Sequence, residues 1–217
     1  MTQASAAVRR RGGKGLHKKT ANSLPFPGVK GKTNSPGKKL REYLEPPEVE
    51  ALIKAAPNPT ARLCMMLQWR AGLRVGEAIK VKGSDVHLEA DPPELKVRQG
   101  KGRKDRIVPL HPKLAGSLEN AIDMWKGVAG DPLIGTTRQR AWQWYKVALK
   151  ACYAAGTIPE GKPCGTHTLR HSAARYWLLN DVPINVVSKW LGHSNLQTTM
   201  VYLELVADPG GFMERVP

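Results

Sequence analysis

No aspartate or glutamate occurs before Glu42, while eleven lysine or arginine residues do. A stretch of one charge sign, rich in Gly, Ser and Pro and without apolar periodicity, cannot bury a core and is expected to be disordered when free. Cysteine is scarce. Cys64, Cys152 and Cys164 are odd in number and show no pairing framework, so a disulfide scaffold is excluded and a reduced, cytoplasmic compartment is expected. Long apolar runs are missing too: none reaches the ~18–20 residues that a bilayer-spanning helix needs, so no membrane partner is expected. The basic N-terminus is not followed by an apolar segment, which excludes a secretory signal there.

What is present is a chain of 217 residues, 41% apolar, long enough for one ordinary domain with an extension. The formal net charge of +16 points to a polyanionic partner, and nucleic acid is the commonest. Most of the excess lies at the front, because residues 42–217 carry 23 basic and 18 acidic side chains. The organisation expected is a basic tail over residues 1–42, with Arg9, Arg10, Arg11, Lys14, Lys18 and Lys19 as phosphate contacts, followed by a folded domain over residues 43–217. Within the tail, Gly31-Lys32-Thr33 ends like a phosphate-binding loop. The first glycine of that motif would fall at position 26, which is Phe26, and no strand precedes it, so the motif is rejected.

From Tyr43 onward the pattern becomes periodic. Glu45-Pro46-Pro47-Glu48 predicts a helix through about Ala56, and Thr60 is expected to cap a second that ends near Gly72. A short helix is predicted from Arg74. Two strands are predicted, at 95–98 and 106–110, joined by a hairpin over Gly100-Lys101-Gly102-Arg103-Lys104-Asp105. Further helices are predicted at 112–127, 137–154, 168–180, 183–191 and 195–205. The fold class expected is mainly α with one small antiparallel β-sheet.

Four segments carry chemistry. Gly72-Leu73-Arg74-Val75-Gly76-Glu77 places an arginine at a sharp junction, with Glu77 one turn on and able to orient it. A surface ion pair is the alternative. Lys101 sits between two glycines, where it can reach a groove and donate a proton or simply be a solvated turn. His167, Arg170 and His171 share a helical face, and arginine at a helix start offers a bidentate grip on phosphate. A zinc site built from Cys152, Cys164, His167 and His171 is rejected, because the eleven residues between the cysteines break the usual close pair. In the last segment Gly192 ends a helix, His193 follows, and Tyr202 lies two turns into the next. A tyrosine there packs in a core unless cations stand ready to stabilise a phenolate and a phosphorane.

Taken in order, Gly72-Leu73-Arg74, Gly100-Lys101-Gly102, His167-Thr168-Leu169-Arg170-His171, Leu191-Gly192-His193 and Tyr202 resemble the tyrosine recombinase, or phage integrase, family over roughly residues 43–205. The resemblance implies that residues 43–217 form a tyrosine recombinase catalytic domain. It implies that Tyr202 attacks a DNA phosphodiester to leave a 3′-phosphotyrosyl link and a free 5′-hydroxyl. Arg74 and Arg170 would clamp the phosphate oxygens, and Lys101 would be the general acid. His167 would assist proton transfer and His193 would bond the phosphate. Glu77 and His171 would stand behind them, Glu77 orienting Arg74 or His171, and Arg103 and Lys104 would add DNA contacts. No metal, ATP or other cofactor is implied. The partners implied are double-stranded DNA, a homotetramer joining two DNA sites, and an accessory DNA-binding protein, because only the basic tail stands where most members carry a further DNA-binding domain. Three rival readings remain: a non-catalytic helix-turn-helix regulator built on residues 184–205, a nicking-closing enzyme like the type IB topoisomerases, and a degenerate recombinase that keeps the fold without activity.

Overall fold

A computed structural model describes residues 42–98, 104–125, 127–128, 130–162 and 164–203. The expected tail (1–42, apart from Glu42), Lys101, Arg103 and the chain beyond Leu203 lie outside the described residues.

The chain enters through Glu42–Glu45 and turns into α1 (Pro46–Lys54). Glu48 reaches back to accept the Glu45 amide at 2.7 Å, and Val49, Leu52 and Ile53 face the interior at helical spacing. The second helix, α2 (Pro59–Arg70), is capped by Asn58 rather than Thr60, its side-chain oxygen accepting the Ala61 amide at 2.8 Å. With Pro59 at the first helical position, whose missing N–H costs nothing there, Asn58 is the better-placed cap. After Gly72 comes a single turn, α3 (Val75–Ala78).

The sheet has three strands, one more than the sequence suggested: β1 (Val86–His87), β2 (Glu94–Val97) and β3 (Arg106–Pro109), antiparallel in that order. The missed strand is two residues long, too short to show an alternation. In the β2–β3 register Leu95 lies opposite Val108 and Val97 opposite Arg106, so Arg106 shares a face with buried valines.

Helices α4 (Pro112–Asp123) and α5 (Arg138–Ala154) follow. The first stops four residues short of the expected end, after its last buried side chain, Leu118. Next come α6 (Thr168–Leu179), α7 (Ile184–Leu191) and a one-turn α8 (Gln197–Met200) in place of the longer helix expected over 195–205. One core cluster runs from α2 across the sheet to α4, and a second gathers α1, α5 and the start of α6. The smallest joins Ala174 of α6 and Val187 and Leu191 of α7 to Tyr202. Among the described residues no helix is long and apolar enough to cross a membrane.

Candidate active site

Two glycines shape the site. Gly72 ends α2 in the left-handed region (φ +62°), and a Cβ there would lie 2.7 Å from the Trp177 ring. This reversal delivers Arg74 to the start of α3 and turns the Gly72 carbonyl toward α6. Gly192 ends α7 at φ 66°, with its own amide bonded to Lys189 and that of His193 bonded to Ser188. The chain leaves that cap with the His193 side chain directed at Arg170.

Arg170 lies at the centre. It is 3% exposed, in the first turn of α6. One terminal nitrogen donates to the Gly72 carbonyl at 2.6 Å, and the other donates to the Leu191 carbonyl at 2.7 Å and lies 3.1 Å from His193 Nε2. Thr199 Oγ1 is 2.7 Å from the other ring nitrogen of His193. Burial pulls the Arg170 guanidinium down to about 9, helped by the charges of Arg74 and Arg106 and opposed by Glu77.

Glu77 binds the arginines together. It accepts from the Arg74 amide at 2.8 Å and the Arg74 side chain at 2.9 Å, takes both ends of the Arg106 fork at 3.1 and 2.9 Å, and stands 3.8 Å from Arg170. Burial alone would raise its carboxyl. The hydrogen bond and charge of Arg106, the Arg74 amide and the Arg170 charge outweigh that and hold it at about 2.

Tyr202 is fully buried, and its hydroxyl lies 2.7 Å from His171 Nδ1. The His193 ring runs nearly parallel to the phenol ring, with centroids 6.5 Å apart. His167 is exposed at the N-cap of α6, its ring 6.2 Å from that of His171. The histidine at hydrogen-bond distance from the tyrosine is therefore His171, one turn beyond His167. Lys104 is exposed just before β3.

The structure thus brings together Arg74, Glu77, Arg170, His171, His193 and Tyr202, from segments up to 128 residues apart. Arg106 joins them without having been expected. Its signal was present: it alternates in phase with Val108, while Ile107 between them is 42% exposed. A charged residue on the inward phase of a strand announces a buried partner. Thr199 carried no such signal. Chemically, the site offers a fixed cationic pole beside a phenol whose neighbouring imidazole can take its proton. Among the described residues no group of three or more His, Cys, Asp or Glu side chains could hold a metal ion.

The architecture, mainly helical around a small antiparallel sheet, is that of a tyrosine recombinase catalytic domain. It superposes on the crystal structure of XerA recombinase with a TM-score of 0.60 at 27% identity, covering 76% of this chain and 61% of that one. The post-cleavage complex of XerH site-specific recombinase with palindromic difH substrate gives 0.64 at 26% identity, over 82% of this chain and 54% of that one. The family model described as Phage integrase family matches residues 42–208, and the chain belongs to that family. Relatives include a tyrosine recombinase of Pseudothermotoga lettingae, 36% identical over 78% of this chain and 58% of the relative. Tyrosine recombinase XerA of Pyrococcus horikoshii is 33% identical over 77% and 58%. The chain therefore spans about three fifths of the length of these relatives.

Proposed function

We propose that this chain breaks and rejoins DNA strands at specific sites, with Tyr202 as nucleophile. The observation that carries the reading is the Tyr202 hydroxyl held 2.7 Å from His171 Nδ1, beside an arginine bonded to His193. His171 takes the phenolic proton as the oxygen attacks phosphorus, and Arg74 and Arg170 stabilise the charge that develops on the non-bridging oxygens. His193 hydrogen-bonds the same phosphate once its Nε2 turns from Arg170. Lys101 protonates the departing 5′-oxygen, and His167, at the exposed edge, assists. The 3′-phosphotyrosyl bond conserves the energy of the broken phosphodiester, so a second 5′-hydroxyl reverses the step without ATP. Because Tyr202 is fully buried, α8 and the turn after it must open for the phenol to meet a phosphate.

The basic residues from Arg9 to Lys19, with Arg103 and Lys104, track the DNA backbone in this reading. The structures of XerH site-specific recombinase bound to difH substrate, before and after cleavage, support duplex DNA as the partner. Assembly of four subunits on two sites, help from an accessory DNA-binding protein and action in the cytoplasm complete the proposal. The regulator alternative is weaker, because α8 is a single turn with no lysine or arginine to present to a groove.

The test is a nicked duplex carrying the repeats that flank the coding region, incubated with the protein in EDTA and denatured in detergent. Wild type is expected to give a covalent protein–DNA band, and Tyr202→Phe none. A wild-type protein that demonstrably binds the substrate yet forms no band overturns the reading. Paired sites that exchange strands, rather than one site that only relaxes, separate recombinase from topoisomerase.

A further inference from the structure

Arg106 is 7% exposed and every arm of its side chain is committed. Nε donates to the Trp190 carbonyl at 2.6 Å, near the end of α7, while the two terminal nitrogens hold the two oxygens of Glu77 on α3. The residue itself begins β3, directly after the segment containing Lys101. One side chain thus ties β3 to the turn that carries Arg74 and to the end of α7 that leads into His193.

The oxygen count shows what this does to charge. Each Glu77 oxygen already accepts two bonds: one takes the Arg74 and Arg106 side chains, and the other takes the Arg74 amide and Arg106. A carboxylate offers about four lone-pair sites in all. Arg170 is left at 3.8 Å, beyond hydrogen-bond distance, and spends its donors on carbonyls and beside His193. Three guanidinium groups surround this one carboxylate, a net of two positive charges. Without Arg106 the net would fall to one, and Glu77 would be open to Arg170.

We propose that Arg106 is a positioning and charge-balancing residue of the phosphate site: by occupying Glu77 it keeps Arg74 and Arg170 available to an oxyanion. This rests on the reading of Arg74 and Arg170 as the phosphate clamp. Strand chemistry then loses rate when Arg106 is lost even though Arg106 touches neither phosphate nor nucleophile.

The test uses the full chain and orthovanadate, a mimic of pentacoordinate phosphorus, titrated by calorimetry with Arg170→Ala as the blank. Arg106→Met is expected to weaken vanadate binding at least 10-fold. The double variant Arg106→Met/Glu77→Gln, which restores the net charge, is expected to return to within 3-fold of wild type. A merely structural arginine predicts a double variant no better than Arg106→Met, and that result overturns the proposal. So does equal behaviour of wild type and Arg106→Met, absence of binding in both included. Should Arg106→Met fail to fold by circular dichroism, Arg106→Lys carries the test: it keeps the charge but cannot fill both Glu77 oxygens and the Trp190 carbonyl, so it is expected to weaken binding at least 3-fold and to recover when Glu77→Gln is added, and no loss, or a loss that Glu77→Gln does not recover, refutes the proposal. Vanadate binding involves no DNA, so failure of the strand-cleavage reading and failure of this one are separable.

Discussion

The arginine side of the site and the tyrosine side are built differently. Arg74, Arg106 and Arg170 converge on Glu77 from α3, β3 and α6, the last two guanidinium groups nearly inaccessible and each bonded at several points. Tyr202 instead follows a single-turn helix and belongs to the smallest core cluster, with its hydroxyl 2.7 Å from His171 Nδ1. A multiply bonded, buried charge network resists rearrangement, because breaking one partner strands another in low dielectric. A one-turn element has little cooperative helical stability of its own. The difference teaches that the electrostatic half of the site is built in advance, and the proposed nucleophile is carried on the less anchored part. Opening α8 would release the phenol without touching the bonds between the arginines and Glu77, although it would break the contact of Thr199 with His193.

The sharpest way to break that comparison is at Arg170. Replacing it with alanine is expected to slow strand cleavage about 100- to 1000-fold, the usual effect of deleting one preorganised oxyanion contact. Arg170→Lys should recover little, because an ammonium cannot serve the Gly72 and Leu191 carbonyls in the same planar geometry. Single-turnover cleavage measures both. A lysine variant at wild-type rate contradicts a geometrically preorganised pole.

Acid tests the same side through stability. The Glu77 carboxyl is held at about 2 against an ordinary 4.5, so its contribution is fully present above the ordinary value and is lost as pH falls from 4.5 toward 2. That shift corresponds to about 3 kcal/mol. Denaturant unfolding at a series of pH values should show this loss in wild type and a flatter acid limb in Glu77→Gln.

A smaller effect is expected at the glycine reversal that ends α2 before Arg74. Gly72→Ala would put a Cβ against Trp177 in a left-handed backbone, destabilising the fold by about 1–3 kcal/mol. A thermal midpoint unchanged from wild type would mean that this reversal is not under constraint.

Much of this was legible in the sequence, for identifiable reasons. Arg170 and His171 are adjacent, and the glycine stops at 72 and 192 mark where helices end, but that Arg74, Arg170 and His193 share one site was implied by the ordered resemblance to the tyrosine recombinase family and not by caps or spacing. The Glu77–Arg74 pair is an i,i+3 contact and readable locally. What escaped was long-range. Arg106 meets Glu77 across 29 residues and Trp190 across 84, and only the phase of its strand hinted at burial. The preference of Tyr202 for His171 over His167 depends on how α7 and α8 pack against α6, which spacing along one helix does not specify. The length of α8 was overestimated because Leu196, Met200 and Leu203 suggest a helical stripe, yet they are partly exposed.

The most direct measurement is peptide mapping of the trapped protein–DNA complex. After nuclease digestion, mass spectrometry should find the nucleotide remnant on the peptide containing Tyr202, attached through its oxygen. An adduct on Tyr176, on a serine or on any other residue, or a complex that forms equally well in Tyr202→Phe, would contradict the account.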